Sequence, residues 1–119
     1  MTTAKQKRAA VATAMRTALP TWTVYASPPT VPVVPSLVIA PGSPYREYAT
    51  FTHEAVRLRL QIIVQPSPTA MDAIDDALDA VMAGLHSVTD MVKLSGSGVT
   101  VALSSGGDVL VATVETTVS

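Results

Sequence analysis

The side chains with the most evident capacity for chemistry are four aspartates close together in the sequence, Asp72, Asp75, Asp76 and Asp79. Spacings of three and four place Asp72, Asp76 and Asp79 on one side of a helix, where carboxylates could attract a cation. A calcium site also needs a loop that wraps the ion with oxygen ligands, which a helix does not supply. We therefore interpret the aspartates as a solvated helix face, with Asp72 favourably placed at the positive N-terminal end.

Three other groups of residues could support catalysis or ligand binding, and none has the required pattern. His53 and His86 are not at a metal-ligand spacing. The hydroxyls and carboxylate of Ser104–Asp108 lack a nucleophile-elbow pattern, so this stretch is predicted to be a turn. Residues 96–98 have two glycines but precede a strand, which does not fit a phosphate-binding loop. We expect no enzyme activity, no cofactor and no metal ion.

Arg57 and Arg59 remain the most suggestive charged pair. They lie in Ala55–Gln65, a predicted strand whose even-numbered residues form an apolar face: Val56, Leu58, Leu60, Ile62 and Val64. The other face carries Arg57, Arg59, Gln61, Ile63 and Gln65. The arginines could touch phosphates, line a channel, or pair with carboxylates in the chain or on a neighbour. A solvated outer face is the remaining alternative.

The composition fits one domain spanning residues 1–119. Charged residues make up 14% of the chain, below the roughly 25% that is typical, so part of the surface is expected to be hidden by other chains or to use Ser and Thr instead. The net charge of −1 gives no indication of a nucleic-acid or membrane binder. With no cysteine and no long apolar run, the sequence fits a reducing cytoplasm and no membrane span.

Periodicity predicts an α+β fold: two helices packed on a mainly antiparallel sheet of about four to six strands, in the order α-β-β-(β)-α-β-β. The helices are Thr3–Leu19 and Thr69–Leu85, with Gly84 near the end of the second as a terminator. The buried stripe of the second helix is expected to be Met71, Ile74, Leu78, Val81, Met82 and Leu85. Besides Ala55–Gln65, the predicted strands are Trp22–Tyr25, Ser36–Ala40, Met91–Leu94, Val99–Ser104 and Val109–Val118.

Residues 27–53 are expected to be an irregular segment rich in proline and aromatic residues. Pro41–Pro44 is a strong turn signal, and Tyr45–Thr52 could be a strand or an ordered loop. All five aromatic residues of the chain fall between positions 22 and 51. Aromatic residues are enriched at protein–protein contacts, although they could equally anchor a long loop on the domain.

The order of these patterns resembles the tail terminator proteins of long-tailed bacteriophages. The resemblance is carried by Pro35–Pro41, then Tyr45-Arg46-Glu47-Tyr48, then Val56–Leu60, followed by the acidic helix. It covers nearly the whole chain, from the N-terminal helix to the C-terminal hairpin, and rests on element order and not on one diagnostic motif.

The resemblance implies a homohexameric ring that caps the tail tube and offers an attachment surface to the head-completion or connector protein. DNA would pass through the ring without sequence-specific binding, and the protein would be made in the host cytoplasm and reside at the head-proximal end of the tail in the virion. The predicted interface or lumen residues come from this chain alone: Arg57, Arg59, Tyr45, Arg46, Glu47 and Tyr48. Alternatives are a head-completion or head–tail joining protein, or a small-molecule-binding or enzymatic α+β domain.

Overall fold

The computed structural model describes residues 3–50, 53–88, 92–94, 98–104 and 107–118.

The first helix begins and ends at residues that cap it. Helix α1 spans Ala4–Ala18, and Thr3 forms a capping box in which the Gln6 amide donates to the Thr3 hydroxyl and the Thr3 amide donates to the Gln6 side chain. Leu19 follows as the C-cap, and Pro20 cannot continue the helix.

The elements form the predicted α+β fold, two helices with a six-stranded sheet. In chain order, α1 is followed by β1 (Thr23–Tyr25), β2 (Ser36–Thr50), β3 (His53–Val64), α2 (Ala70–Val88), β4 (Val92–Leu94), β5 (Thr100–Leu103) and β6 (Leu110–Val118). Residues 105–106 of the predicted turn Ser104–Asp108, together with Met91 and Phe51, lie outside the described residues. Across the described part of this turn, the Gly107 amide donates a hydrogen bond of 2.8 Å to the Ser104 carbonyl oxygen.

The sheet is mixed but mainly antiparallel. Its strand order is β1-β2-β3-β6-β4, with β5 also paired to β6. Only the β1–β2 pair is parallel among the described pairs. Strand β4 pairs with the C-terminal end of β6 and β5 with its N-terminal end, so the two short strands share one edge of β6. The sheet therefore has β1 at one lateral edge and β4 with β5 at the other.

The apolar face of β3 is the core, as predicted. The even-numbered residues from Val56 to Val64 are at most 4% exposed, and both helices contact β3. On the opposite face, Ile63 is also buried, across from Ser36 on β2. The alternation of residue types alone did not indicate that this face is buried at Ile63 and partly exposed at Arg57 and Arg59.

Helix α2 differs from the prediction at its end and in its buried stripe. Gly84 is not a terminator: the helix continues to Val88, and Gly84 is buried against α1. A Cβ atom at Gly84 would lie 2.8 Å from Met15 Cε and 3.2 Å from Ala18 Cβ, so the missing side chain permits the close helix contact. The buried stripe also includes Ala77, whereas Met71, which was predicted to be buried, is 49% exposed.

The predicted turn at Pro41–Pro44 is wrong, and the irregular segment is shorter than predicted. Strand β2 runs through these residues, with a bulge in which residues 42–45 face Arg57 alone. A Cβ atom at Gly42 would lie 2.8 Å from Arg57 Cβ and 3.1 Å from its carbonyl carbon, so only glycine fits this approach. Of residues 27–53, the described residues 36–50 and His53 belong to strands, and the connection from β1 to β2 is confined to residues 26–35.

Candidate functional site

The end of the β2–β3 hairpin extends past the rest of the sheet. Strand β6 pairs with β3 only from Val56 onward, whereas β2 pairs with β3 as far as His53. We call residues 46–50 and 53–55 the hairpin end. With dimensions of 48 × 27 × 27 Å, the molecule is elongated. The hairpin end contains three of the six residues predicted as interface candidates, Arg46, Glu47 and Tyr48.

The side of the hairpin end that faces α1 carries a compact charged and aromatic cluster. Arg46 Nη2 lies 2.9 Å from Glu54 Oε2, and the Arg46 guanidinium carbon lies 5.6 Å from the centre of the Tyr48 ring. Tyr48 itself is 60% exposed. The nearly buried Lys7 reaches from α1 and donates a hydrogen bond of 2.8 Å to the Glu54 carbonyl oxygen, which fixes the hairpin end to the helix.

The Arg46–Glu54 pair changes the protonation behaviour of both groups. The hydrogen bond from Arg46 lowers the pKa of the Glu54 carboxyl below its ordinary value. The same bond raises the pKa of Arg46. Both groups therefore stay charged at neutral pH, and the cluster presents an ion pair beside an exposed aromatic ring.

Tyr45 lies at the base of the hairpin, where β2 leaves its bulge. Its ring is half-buried and packs against the core, and its hydroxyl accepts a hydrogen bond of 3.3 Å from Arg8 Nη1 on α1. Of the four predicted residues Tyr45–Tyr48, Tyr45 thus holds the hairpin on the body, while the other three are exposed.

Arg57 and Arg59 lie on the opposite face of the sheet, and both pair with carboxylates of their own chain. Arg57 Nη2 lies 3.0 Å from Glu47 Oε2, and Arg59 Nη2 lies 3.4 Å from Glu115 Oε1. Among the alternatives for the arginines, pairing within the chain is the one that the geometry provides. The Arg57 Nε atom is buried without a hydrogen-bond partner among the described residues.

The remaining polar candidates do not converge on a chemical centre. The four aspartates of α2 are all exposed, in agreement with a solvated face. His86 is exposed in the last turn of α2, and the side chain of His53 lies outside the described part of the structure. Within the described ranges, no group of three or more His, Cys, Asp or Glu residues could hold a metal ion.

Among the described residues, small or apolar side chains dominate the lining of two surface cavities. One of about 410 Å³ lies between the helices and is lined by Ala14, Thr17, Ala18, Ala80, Ala83, Gly84 and Ser87. The other, of about 310 Å³, lies beside α1 and the β1–β2 connection and is lined by Arg8, Ala26, Ser27, Pro28, Ile39, Pro41, Tyr45 and Leu58. Arg8, Ser27 and the Tyr45 hydroxyl are the polar side-chain groups at the second cavity, and neither cavity brings an acid and a base together.

Sequence reasoning missed the partners of the candidate residues. Glu54 and Lys7 complete the cluster around Arg46, and Glu115 pairs with Arg59 from a strand far along the chain. A hairpin signal joining β2 to β3 would have placed Glu54 opposite Tyr48. No local signal identifies Glu115, because its position depends on the pairing of β6 with β3.

Comparisons with known proteins give no family assignment: no protein-family model matches the chain, and no curated protein matches it. In the described part of the chain, no helix is both long and apolar enough to cross a membrane.

Proposed function

We propose that this chain is a tail terminator subunit of a long-tailed bacteriophage, which assembles into a ring that caps the tail tube and receives the head. The observation that carries the proposal is the hairpin end, which extends past the helix-covered core with Arg46, Glu47 and Tyr48 exposed. Tyr48 is 60% exposed beside a fixed ion pair, so its ring contributes little to the stability of one subunit, whereas exposed aromatic residues are common at protein–protein contacts.

The order of elements supports the same proposal. The resemblance implies a small α+β subunit with an N-terminal helix, a central strand, an acidic helix and a C-terminal hairpin. The chain has this arrangement, with α1 and α2 on one face of the sheet and β5–β6 as the C-terminal hairpin. On this proposal the hairpin end contacts the tail tube or the next protein of the neck, and no bond-breaking step is required.

The opposite face of the sheet suits an assembly protein that encloses DNA. Arg57 and Arg59 are each neutralised by a carboxylate 3.0 to 3.4 Å away. A face of closed ion pairs does not bind phosphate strongly, so DNA could pass such a surface without being retained. This property fits a passage and does not fit a specific nucleic-acid binder.

The test of the proposal combines the purified chain with the tail tube protein encoded by the same phage. We expect rings with a central hole in negative-stain images, and tubes of fixed length when the chain is added during tube assembly. Tyr48→Ala should weaken attachment to tubes without unfolding the subunit, whereas Met71→Ala, at an exposed position of α2 away from the hairpin end, should leave attachment unchanged. Attachment to the portal or connector, and none to tubes, would instead indicate a head-completion or joining protein.

A further inference from the structure

We propose that the cavity beside α1 and the β1–β2 connection binds a small monocarboxylic acid with an apolar body. The cavity has a volume of about 310 Å³, at the lower end of the range of about 300–1,000 Å³ that is usual for ligand sites. Apolar side chains form most of its lining, and Arg8 is the charged residue among them. This combination fits a ligand with one negative charge and a short hydrocarbon body. Binding at this cavity does not depend on the proposed ring.

The cavity is formed where three parts of the chain meet. Helix α1 contributes Arg8, the β1–β2 connection contributes residues 26–28, and the β2–β3 hairpin contributes the other lining residues. Ile39 and Leu58 are each 1% exposed and belong to the core, so they form the closed end of the cavity. Pro28 is exposed and lies at the opening. An apolar body that enters the cavity is therefore transferred from water onto core side chains, which is favourable.

The polar side chains of the cavity are hydrogen-bond donors with unused capacity. Arg8 Nη1 donates a hydrogen bond of 3.3 Å to the Tyr45 hydroxyl oxygen. Because Tyr45 accepts in this bond, its own hydroxyl proton remains available to another acceptor, and the Arg8 guanidinium keeps most of its N–H groups. In the described part of the chain Arg8 pairs with no carboxylate, unlike the three arginines of the β2–β3 hairpin. A ligand carboxylate can accept from Arg8 and Tyr45 together.

The charges around the cavity also favour an anion. Residues 17–45, which include the β1–β2 connection and the first part of β2, contain no Asp or Glu. Lys7 precedes Arg8 on α1, and Arg46 follows Tyr45 on β2. Glu54, the carboxylate beside them among the described residues, already pairs with Arg46. The junction of α1 with the base of the hairpin is therefore positively charged, which strengthens hydrogen bonds to a carboxylate.

The same features limit the ligand to one acid group. A second carboxylate would lose its hydration in the apolar part of the cavity without gaining a cation, which is costly. A single carboxylate at Arg8 leaves the hydrocarbon body against Ile39 and Leu58. Such a ligand contacts α1, the β1–β2 connection and Tyr45 at once, so its binding should stabilise the attachment of the hairpin to the body.

The experiment titrates hexanoate into the isotopically labelled chain at constant ionic strength and follows the backbone amide signals by NMR. We expect saturable shifts at Arg8, Ala26 and Leu58, with a dissociation constant of about 1 mM or below, as is usual for a ligand of this size. Hexanol and hexylammonium have the same body without the negative charge and should bind at least about ten-fold more weakly. Acetate, which lacks the apolar body, should also bind at least about ten-fold more weakly.

Arg8→Met removes the charge and keeps an unbranched side chain, and it should weaken hexanoate binding at least about ten-fold. Lys5→Met is the matched control, because it removes a cation from an exposed position of the same helix outside the cavity, and it should leave binding unchanged. Circular dichroism checks folding, and the ligand series on the unmodified chain decides the question if Arg8→Met does not fold. No shifts around the cavity at about 20 mM hexanoate, equal binding of hexanol, or equal weakening by Lys5→Met would overturn the proposal.

Discussion

Arg57 Nη2 lies 3.0 Å from Glu47 Oε2, and this contact joins β3 to β2 just beyond the bulge. Both side chains are partly exposed, at 38% and 47%. The strand face that carries the arginines is thus a set of closed ion pairs and not an array of unsatisfied cations. A contact between this strand face and another subunit would therefore involve pairs of opposite charge.

Exchanging the charges of this pair tests whether the pairing is internal. Arg57→Glu alone places two carboxylates together and is expected to lower the free energy of unfolding by up to about 1 kcal/mol, because exposed ion pairs contribute little. Arg57→Glu combined with Glu47→Arg should restore stability and leave assembly intact. Urea unfolding and sedimentation measure the two effects. Assembly lost in the exchanged variant would mean that Arg57 contacts a neighbouring subunit directly.

The Arg46–Glu54 pair should make stability depend on pH in the acidic range. Since the pKa of Glu54 is lowered on folding, the pair contributes stability above the unfolded pKa of about 4.3 and loses it as the pH falls through the folded value. Urea unfolding of the unmodified chain and of Glu54→Gln should therefore differ at pH 7 and converge near pH 2. Asp75→Asn, on the exposed face of α2, is the control. A constant difference across this range would contradict the assignment.

The bulge in β2 should tolerate only glycine at position 42. Gly42→Ala forces a Cβ atom to within 2.8 Å of Arg57 Cβ and 3.1 Å of its backbone. We expect a loss of about 1–3 kcal/mol in the free energy of unfolding, as for other overpacked sites. Gly98→Ala is the matched control, since a Cβ atom there meets nothing within 4 Å, and it should change stability by less than about 0.5 kcal/mol. Equal effects of the two substitutions would show that the bulge is wrongly placed.

The contact between the helices should be equally intolerant of a larger side chain. Gly84→Leu is expected to lower the free energy of unfolding by about 1–3 kcal/mol, because Met15 and Ala18 occupy the space that the new side chain needs. Ala83→Leu, one residue earlier and exposed, should have an effect within about 0.5 kcal/mol. Thermal or chemical unfolding of both variants provides the comparison, and a stable Gly84→Leu variant would contradict the packing.

The core was predictable because its signal is local and repeated. Alternation in β3 identified the core face from Val56 to Val64, though not the buried Ile63 on the other face, and periodicity located the boundaries of both helices to within a few residues. Gly84 was misread because a glycine near a helix end has the same local appearance whether it ends the helix or lets a second helix approach. Only the position of α1 distinguishes the two cases.

The β2–β3 hairpin is the main feature that was predicted wrongly from the sequence, and the reason is also physical. Two prolines and a glycine in Pro41–Pro44 predict a turn, yet β3 supplies a partner strand along which β2 continues past them as a bulge. Tertiary pairing thus overrode the local turn preference. The candidate residues at 45–48 were chosen from their types, and the partners that surround Arg46, which are Glu54 and Lys7, come from other elements of the chain.

The most direct test of the ring proposal is negative-stain imaging of the purified chain, alone and together with its tail tube protein. The proposal predicts closed rings with a central hole, free in solution or seated at one end of tubes whose length they fix. Monomers under both conditions, with tube length unaffected, would contradict it.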